Sequence, residues 1–212
     1  MIINYHGNSC VSITSKPGVG DVTVVLDPFD NATGLRMPRS LNADVIFSSQ
    51  EGKVHGNKAG VQGSPFDIDM PGEFEVKGVM MDSRVASTKE NKQHMILRLN
   101  TEGITVGFLG GLDRAPNDKE LEVLEGVDIL IMPVGGGSVM TPKVAAETMR
   151  AVEPRVVIPV HANEKGVKAK LQPVSAFKKE VGSMRTEEAS KYKITKAKLP
   201  QDDMLLALLS KA

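Results

Sequence analysis

Cysteine and aromatic residues are scarce in this 212-residue sequence. Cysteine occurs once, as Cys10, so neither an intramolecular disulfide nor a zinc site built on two or four cysteines can form. Tryptophan is absent, and aromatic residues make up only 4% of the chain. These absences exclude cysteine-ligated zinc domains and argue against surfaces that stack aromatic rings on bases or sugars.

The charge balance and the apolar pattern narrow the range of partners. Lysine plus arginine and aspartate plus glutamate each number 26, and a net charge of zero gives no electrostatic reason to expect nucleic acid or an anionic membrane as a partner. The N-terminus lacks the basic and apolar regions of a signal peptide, and no apolar stretch approaches the ~20 residues of a membrane helix. We therefore expect a cytoplasmic protein whose partner is a small molecule or another protein.

The pattern of apolar residues predicts strands in the first half of the chain and strand–helix units in the second. Segment 2–27 predicts β structure with a hairpin turn, and short strands between 66 and 109 predict an antiparallel meander. Asn117 with Glu120, and Thr141 with Pro142, have the residue types and spacing that begin helices. A further helix is expected near 173–181. We expect two stacked sheets with helices outside, in one domain spanning 1–212.

Four polar residues carry both a chemical and a structural interpretation when they are taken singly. Cys10 alternates with apolar residues, so we expect a buried small side chain and not a nucleophile. His6 ends a strand and is expected to be structural, and His94 begins a strand and is expected at the surface. Asp27 precedes Pro28, where it either forms a turn, anchors a loop or remains as an acid. The glycine run 135–137 predicts a close approach of the backbone to a pocket, with phosphate binding as the alternative.

Seven short strings occur in an order that resembles one known family. They are Gly7-Asn8-Ser9-Cys10, Leu26-Asp27-Pro28-Phe29, Ala43-Asp44-Val45-Ile46-Phe47, Pro71-Gly72-Glu73-Phe74-Glu75-Val76, Leu109-Gly110, Ile131-Met132-Pro133-Val134-Gly135-Gly136 and Pro154-Arg155-Val156-Val157-Ile158-Pro159-Val160-His161. The ordered set resembles the metallo-β-lactamase-fold superfamily, in particular the bacterial Zn-dependent hydrolase group that includes ascorbate-phosphate lactonase. The likeness implies an α/β (α+β) fold, the four-layer αββα sandwich, from end to end of the chain.

The same resemblance implies where a binuclear metal centre would be held. The family's chemistry uses imidazoles and carboxylates on two adjacent metals that activate a bridging water. Two of the matching positions keep a ligand in this chain, His55 and His161. The other five are changed: Gln50 and Gly52 stand for two histidines, Val54 for an aspartate, Phe108 for a further histidine and Gly111 for the bridging aspartate.

The loss of ligands predicts a pseudo-enzyme with a degenerate metal site and a binding or structural role. The pocket candidates are Asp27, Gln50, Glu51, His55, Gly111 and His161. We expect no cofactor, since a catalytic site normally has three protein ligands and only His55 and His161 remain as candidates for a vestigial site. The alternative is an altered hydrolase of lactones, phosphodiesters or thioesters that uses these two histidines, with a single weakly bound zinc or manganese. A homo-oligomer is also open, because relatives often assemble.

Overall fold

The computed structural model describes residues 1–18 and 20–212 and contains two mixed β-sheets. The first sheet has the order β13-β1-β2-β3-β4-β5. Its strands are β1 Ile2–Gly7, β2 Cys10–Gly18, β3 Gly20–Leu26, β4 Val45–Phe47, β5 Phe66–Ile68 and β13 Tyr192–Lys193. The first three strands are antiparallel hairpin neighbours, whereas β4 and β5 join in parallel.

The second sheet has the order β12-β14-β11-β10-β9-β8-β7-β6. Its strands are β6 Gly72–Val76, β7 Val79–Ser87, β8 Gln93–Thr101, β9 Ile104–Phe108, β10 Ile129–Pro133, β11 Val156–Val160, β12 Arg185–Ala189 and β14 Leu205–Leu209. Strands β6 to β9 form an antiparallel meander, and β9, β10, β11, β14 and β12 are parallel. The predicted meander is therefore confirmed for these four strands.

One expected member of the meander, β5, pairs instead with β4 in the first sheet. The long connection 48–65 makes this possible, because a parallel neighbour needs a crossover and not a tight turn. Residues 69–71, which end in Pro71, then carry the chain from the first sheet to the second. The expectation that β5 belongs to the meander was wrong for this reason.

The three α-helices in the described residues all pack on the outer face of the second sheet. They are α1 Asp118–Leu124, α2 Pro142–Val152 and α3 Val174–Val181. The predicted starts are confirmed: Asn117 and Glu120 form a reciprocal capping box, and the Thr141 side chain accepts a hydrogen bond from the Val144 backbone. None of the helices in the described chain combines the length and the apolar character needed to cross a membrane.

The alternation of side chains along each strand gives the sandwich its layers. Inward-facing residues of both sheets, such as Val24, Phe47, Phe108 and Ile158, form one buried cluster between the sheets. Outward-facing residues of the second sheet pack under the helices. The predicted sandwich is confirmed. Over the first sheet, however, the outer layer is irregular chain around Phe29, Leu35 and Leu41, in a segment broken by prolines and Gly34.

Phe108, which the resemblance placed at the position of a changed ligand, lies in the core between the two sheets. Its ring meets that of Phe47 edge-on, with 6.0 Å between the ring centroids. The side chain is buried, as the inward register of β9 requires. Packing in the core therefore accounts for a phenylalanine at position 108.

We predict that Phe108→Ala lowers the free energy of unfolding by about 3–5 kcal/mol, since it leaves a cavity between the sheets. Phe108→Leu keeps most of the volume and should cost about 1 kcal/mol. Urea unfolding at pH 7.5 measures both values. A cost below about 1 kcal/mol for Phe108→Ala would place the side chain outside the core.

Candidate functional site

The candidate residues come together at the carboxyl ends of parallel strands from both sheets. Asp27 follows β3, Ser49 follows β4, Gly110 and Gly111 follow β9, and His161 follows β11. Strand ends of this kind meet at one edge of a sheet, and ligands commonly bind there in open α/β sheets. The fold therefore brings distant parts of the sequence to a single edge of the sandwich.

Asp27 is the centre of one buried hydrogen-bond cluster. Its Oδ1 accepts a bond of 2.7 Å from the Ser49 backbone, and its Oδ2 accepts one of 2.7 Å from the Ser49 hydroxyl. His55 Nδ1 donates a third bond, also 2.7 Å, to Oδ2. The carboxylate has no solvent exposure, so these three donors replace its hydration. Asp27 is thus a polar anchor for the loop that begins at Ser49, in addition to ending β3.

His161 is fixed by a second buried cluster. Its Nδ1 lies 2.7 Å from the Ser9 hydroxyl, which itself donates a bond of 3.3 Å to the Gly110 carbonyl. The backbone N–H of His161 donates to the Asn8 carbonyl at 2.6 Å. The turn between β1 and β2 therefore holds the end of β11, and Ser9 is a site residue that the sequence alone did not single out.

The hydrogen-bond partners orient both rings through Nδ1. The Asp27 carboxylate accepts from His55 Nδ1, so in the neutral form of this ring the lone pair is on Nε2. The Ser9 hydroxyl and His161 Nδ1 share a bond whose direction depends on the tautomer of His161. The two ring centroids are 5.4 Å apart with 33° between the planes. The structure thus brings the two histidines together, as the resemblance implied.

Gly111 lies against the His55 ring with no room for a side chain. A Cβ at this residue would stand 2.5 Å from Cε1 and 2.6 Å from Nε2 of His55. These separations are far inside van der Waals contact, and the ring cannot retreat easily while Nδ1 is bonded to Asp27. Glycine at 111 and the observed position of His55 therefore depend on each other.

Three residues of the site adopt a left-handed backbone that side chains rarely take. The φ angles are 49° at Asn8, 48° at Asp27 and 52° at His161. Such a conformation costs on the order of 1–3 kcal/mol at a non-glycine residue and persists where the surroundings fix it. Asparagine and aspartate tolerate it best. The buried hydrogen bonds of Asp27 and His161 supply that constraint here.

His94 is buried, and the expectation that it lies at the surface was wrong. Its Nε2 donates a bond of 2.9 Å to the Leu109 carbonyl, and its Nδ1 accepts one of 2.9 Å from the Gln50 side chain. Burial lowers the pKa of His94 to about 4, because the charged ring would lose its hydration. The polar run before β8 suggested exposure, but the backbone at Ser49 pairs with Met95 and brings Gln50 over the ring.

His6 and Cys10 have the structural roles expected of them. His6 Nε2 lies 2.8 Å from the Ser12 hydroxyl, and burial lowers the pKa of His6 to about 4. Cys10 is fully buried beside Val25 and Phe29, and burial raises the pKa of its thiol well above the usual value. A thiol of this kind is a poor nucleophile.

The glycine run after β10 is a close backbone approach, as expected. A Cβ at Gly135 would collide with the carbonyl of His161, and one at Gly137 would stand 2.7 Å from the carbonyl of Lys170. The Gly136 backbone donates to the Met140 carbonyl. Two of the glycines thus let neighbouring chain segments pack tightly beside the site, which accounts for the run without a phosphate.

A cleft of about 590 Å³ opens along the loop that carries His55, but the predicted pocket residues Asp27, His55, Gly111 and His161 do not line it. Gln50, Glu51 and Gly52 line it, as do residues that the sequence did not single out: Ser48, Ser49, Gly56, Lys58, Asp69, Lys92, Gln93 and Met95. Lys58 is bonded to Asp67 and Asp69, and Lys92 to Glu90. No regular spacing joins these segments in the sequence, so only the fold identifies them as neighbours.

The residues present do not fit a binuclear metal centre. The described chain has no group of three or more histidine, cysteine, aspartate or glutamate side chains arranged to hold a metal ion. Val54 is partly exposed in the loop, and Asp27 is already bonded to three donors. At Gly111, the family's bridging carboxylate would have to pass through the space that the His55 ring fills.

Comparisons with known proteins find similarity along most of the chain. The family model of the beta-lactamase superfamily domain matches residues 2–161. A UPF0173 metal-dependent hydrolase of Thermoplasma acidophilum is 24% identical over 191 residues, covering 76% of this chain and 83% of the relative. A relative of the same description from Bacillus licheniformis is 25% identical over 200 residues, covering 76% and 85%. A crystal structure of a Zn-dependent hydrolase of the metallo-β-lactamase superfamily from Thermotoga maritima is similar with a TM-score of 0.80 and 26% identity, over 98% of both chains.

The buried histidines predict a loss of stability in acid. Burial lowers the pKa of His161 to about 3 and that of His94 to about 4. The unfolded chain therefore binds more protons than the folded one below pH ~6.5, so stability is full above that pH and falls as the pH drops toward 4. The His94→Gln variant keeps a donor for the Leu109 carbonyl. Between pH 6.5 and 4 its free energy of unfolding should change with pH less steeply than that of the native protein, by about 1.4 kcal/mol per pH unit. Urea unfolding of both proteins between pH 7.5 and 4.5 measures it, and equal slopes would contradict the assignment of a neutral buried His94.

Proposed function

We propose that this chain, which belongs to the beta-lactamase superfamily domain family, uses its fold for binding and not for two-metal hydrolysis. It would differ in this from the relatives described above, which are named metal-dependent hydrolases. The observation that carries the proposal is the donor set at the site. Among the candidate ligand positions only His55 and His161 carry imidazoles, and the His55 ring occupies the space above Gly111. Two-metal chemistry needs a bridging ligand and several further donors.

The cleft along the loop that carries His55 supports binding of a small polar molecule. Its walls combine amide, hydroxyl, ammonium and carboxylate groups, so they offer both donors and acceptors. Ser48 lines the cleft, and its hydroxyl is buried without a hydrogen-bond partner in the described part of the chain. A buried polar group of this kind calls for a partner, and a ligand seated in the cleft would supply one.

The metal content of the purified protein tests this proposal. Protein prepared without chelator, then exposed to zinc or manganese and freed of excess metal, should hold well below one metal ion per chain. The physical reason is that two imidazoles alone bind these metals weakly. The matched control is the His55→Ala/His161→Ala double variant, which should give the same low content. A stoichiometric metal that is lost in the double variant would overturn the proposal.

An altered hydrolase is the second candidate, and the names of the relatives favour it. The specific observation is the orientation of His55. Its Nδ1–H is bonded to a buried carboxylate and its Nε2 carries the lone pair, which is the arrangement of a general base. In this role Asp27 would fix the tautomer, and Nε2 would take the proton of the attacking water. Lactones, phosphodiesters and thioesters are the substrate classes to test.

Removal of each histidine tests the second candidate. If a hydrolytic activity is found with a chromogenic phosphodiester, lactone or thioester, His55→Ala should lower kcat at least about 100-fold through loss of the base, and His161→Ala should also lower it. His6→Ala, a buried histidine bonded to Ser12, is the control for a general loss of stability. Activity that survives in both site variants would reject this candidate.

A further inference from the structure

Loop 48–57, between β4 and the turn Lys58–Gly60, carries His55 and also forms one wall of the cleft. Gln50, Glu51, Gly52 and Gly56 all line the cleft. Residues 51–54 of the loop are exposed, whereas His55 is buried with a relative exposure of 5%. His55 thus turns inward from an otherwise outward-facing segment.

The loop is clamped to the four residues that follow β3. The Asp27 carboxylate binds Ser49 and His55, and the Asp30 backbone donates a bond of 2.7 Å to the Lys53 carbonyl. Asn57 completes the clamp: its backbone donates to the Pro28 carbonyl at 2.8 Å and its side chain to the Phe29 carbonyl at 2.9 Å. Segment 27–30 therefore contacts the loop at each of its residues.

We propose that His55 is a latch that holds loop 48–57 against Asp27, and so is a positioning residue for the cleft instead of a metal ligand. Among the contacts of the clamp, this one joins a ring to a fully buried carboxylate, and hydrogen bonds to charged groups are the stronger kind. The inference rests on the proposed function in one respect, namely that His55 is held by Asp27 through Nδ1 and not by a metal through Nε2.

The absence of a side chain at Gly111 leaves the space that the His55 ring occupies. The ring can swing to Asp27 only because residue 111 has no side chain, as the 2.5 Å approach of a Cβ to Cε1 shows. The φ angle of Gly111 lies outside the left-handed range, so alanine is compatible with the backbone there. A methyl group at 111 therefore acts on the ring and not on the conformation of the chain.

Replacing His55 by asparagine or alanine separates the latch from a metal ligand. An asparagine amide stands near the place of Nδ1 and can donate to Asp27, but it has no group at the place of Nε2. We expect hydrogen exchange of the loop amides, including Gly56 and Asn57, to rise at least about tenfold in His55→Ala. In His55→Asn it should stay within about threefold of the native protein. Amides of α2 serve as the reference for global unfolding, and trypsin cleavage at Lys53 gives a second readout of the same opening.

Gly111→Ala tests the latch without touching His55. It should raise exchange in the same loop amides and increase cleavage at Lys53, because the methyl group displaces the ring. Gly18→Ala is the matched control, since a Cβ there meets nothing within 4 Å. In the His55→Ala background, Gly111→Ala should have little further effect on the loop.

Each outcome distinguishes the latch from the proposed function. Loop exchange in His55→Asn as fast as in His55→Ala would overturn the latch, while a low metal content would leave the proposed function standing. Gly111→Ala with native loop exchange would overturn the latch in the same way. If a chelator alone speeds loop exchange in the native protein, a metal holds the ring, and both inferences fail together.

Discussion

The carboxylate of Asp27 imposes the constraint on which the site depends. A charge without solvent exposure is costly unless donors replace its water, and Asp27 obtains three of them from Ser49 and His55. Meeting this requirement fixes the end of β3, the start of the loop after β4 and the plane of one imidazole. Removing any donor would leave a buried charge short of partners, so the three elements are expected to move together. The left-handed backbone at Asp27 is held by the same bonds.

The two halves of the site are built alike but from different sheets. Asp27 of the first sheet orients His55, and Ser9, at the β1–β2 turn of that sheet, orients His161 at the end of β11 in the second. In both cases Nδ1 is held in a hydrogen bond to a buried partner. Outer partners of this kind orient ligating histidines in metal sites. The same partners also satisfy buried imidazoles without a metal, so their presence is compatible with a site whose remaining ligands are absent.

The sequence predicted the features that depend on local chemistry and missed those that depend on the fold. Strand alternation and the caps at Asn117 and Thr141 reflect neighbours in the chain, and the structure confirms them. The latch between Asp27 and His55 joins positions that share no periodicity, and the burial of His94 is caused by a loop from the other sheet. The contact of Phe108 with Phe47 in the core likewise depends on the strand register, which is not visible in a match of short strings.

The positions at which the sequence predicted changed ligands lie in two different physical situations. Gly52 and Val54 lie in the exposed part of the loop, where many residue types are tolerated because little packing depends on them. Gly111 is different, because every other residue there would displace the His55 ring. A chain that had merely lost its metal would accept many side chains at 111, provided that His55 kept its distance. The close contact between Gly111 and His55 is therefore what packing around a hydrogen-bonded histidine requires, and it makes Gly111 the residue whose replacement is most informative.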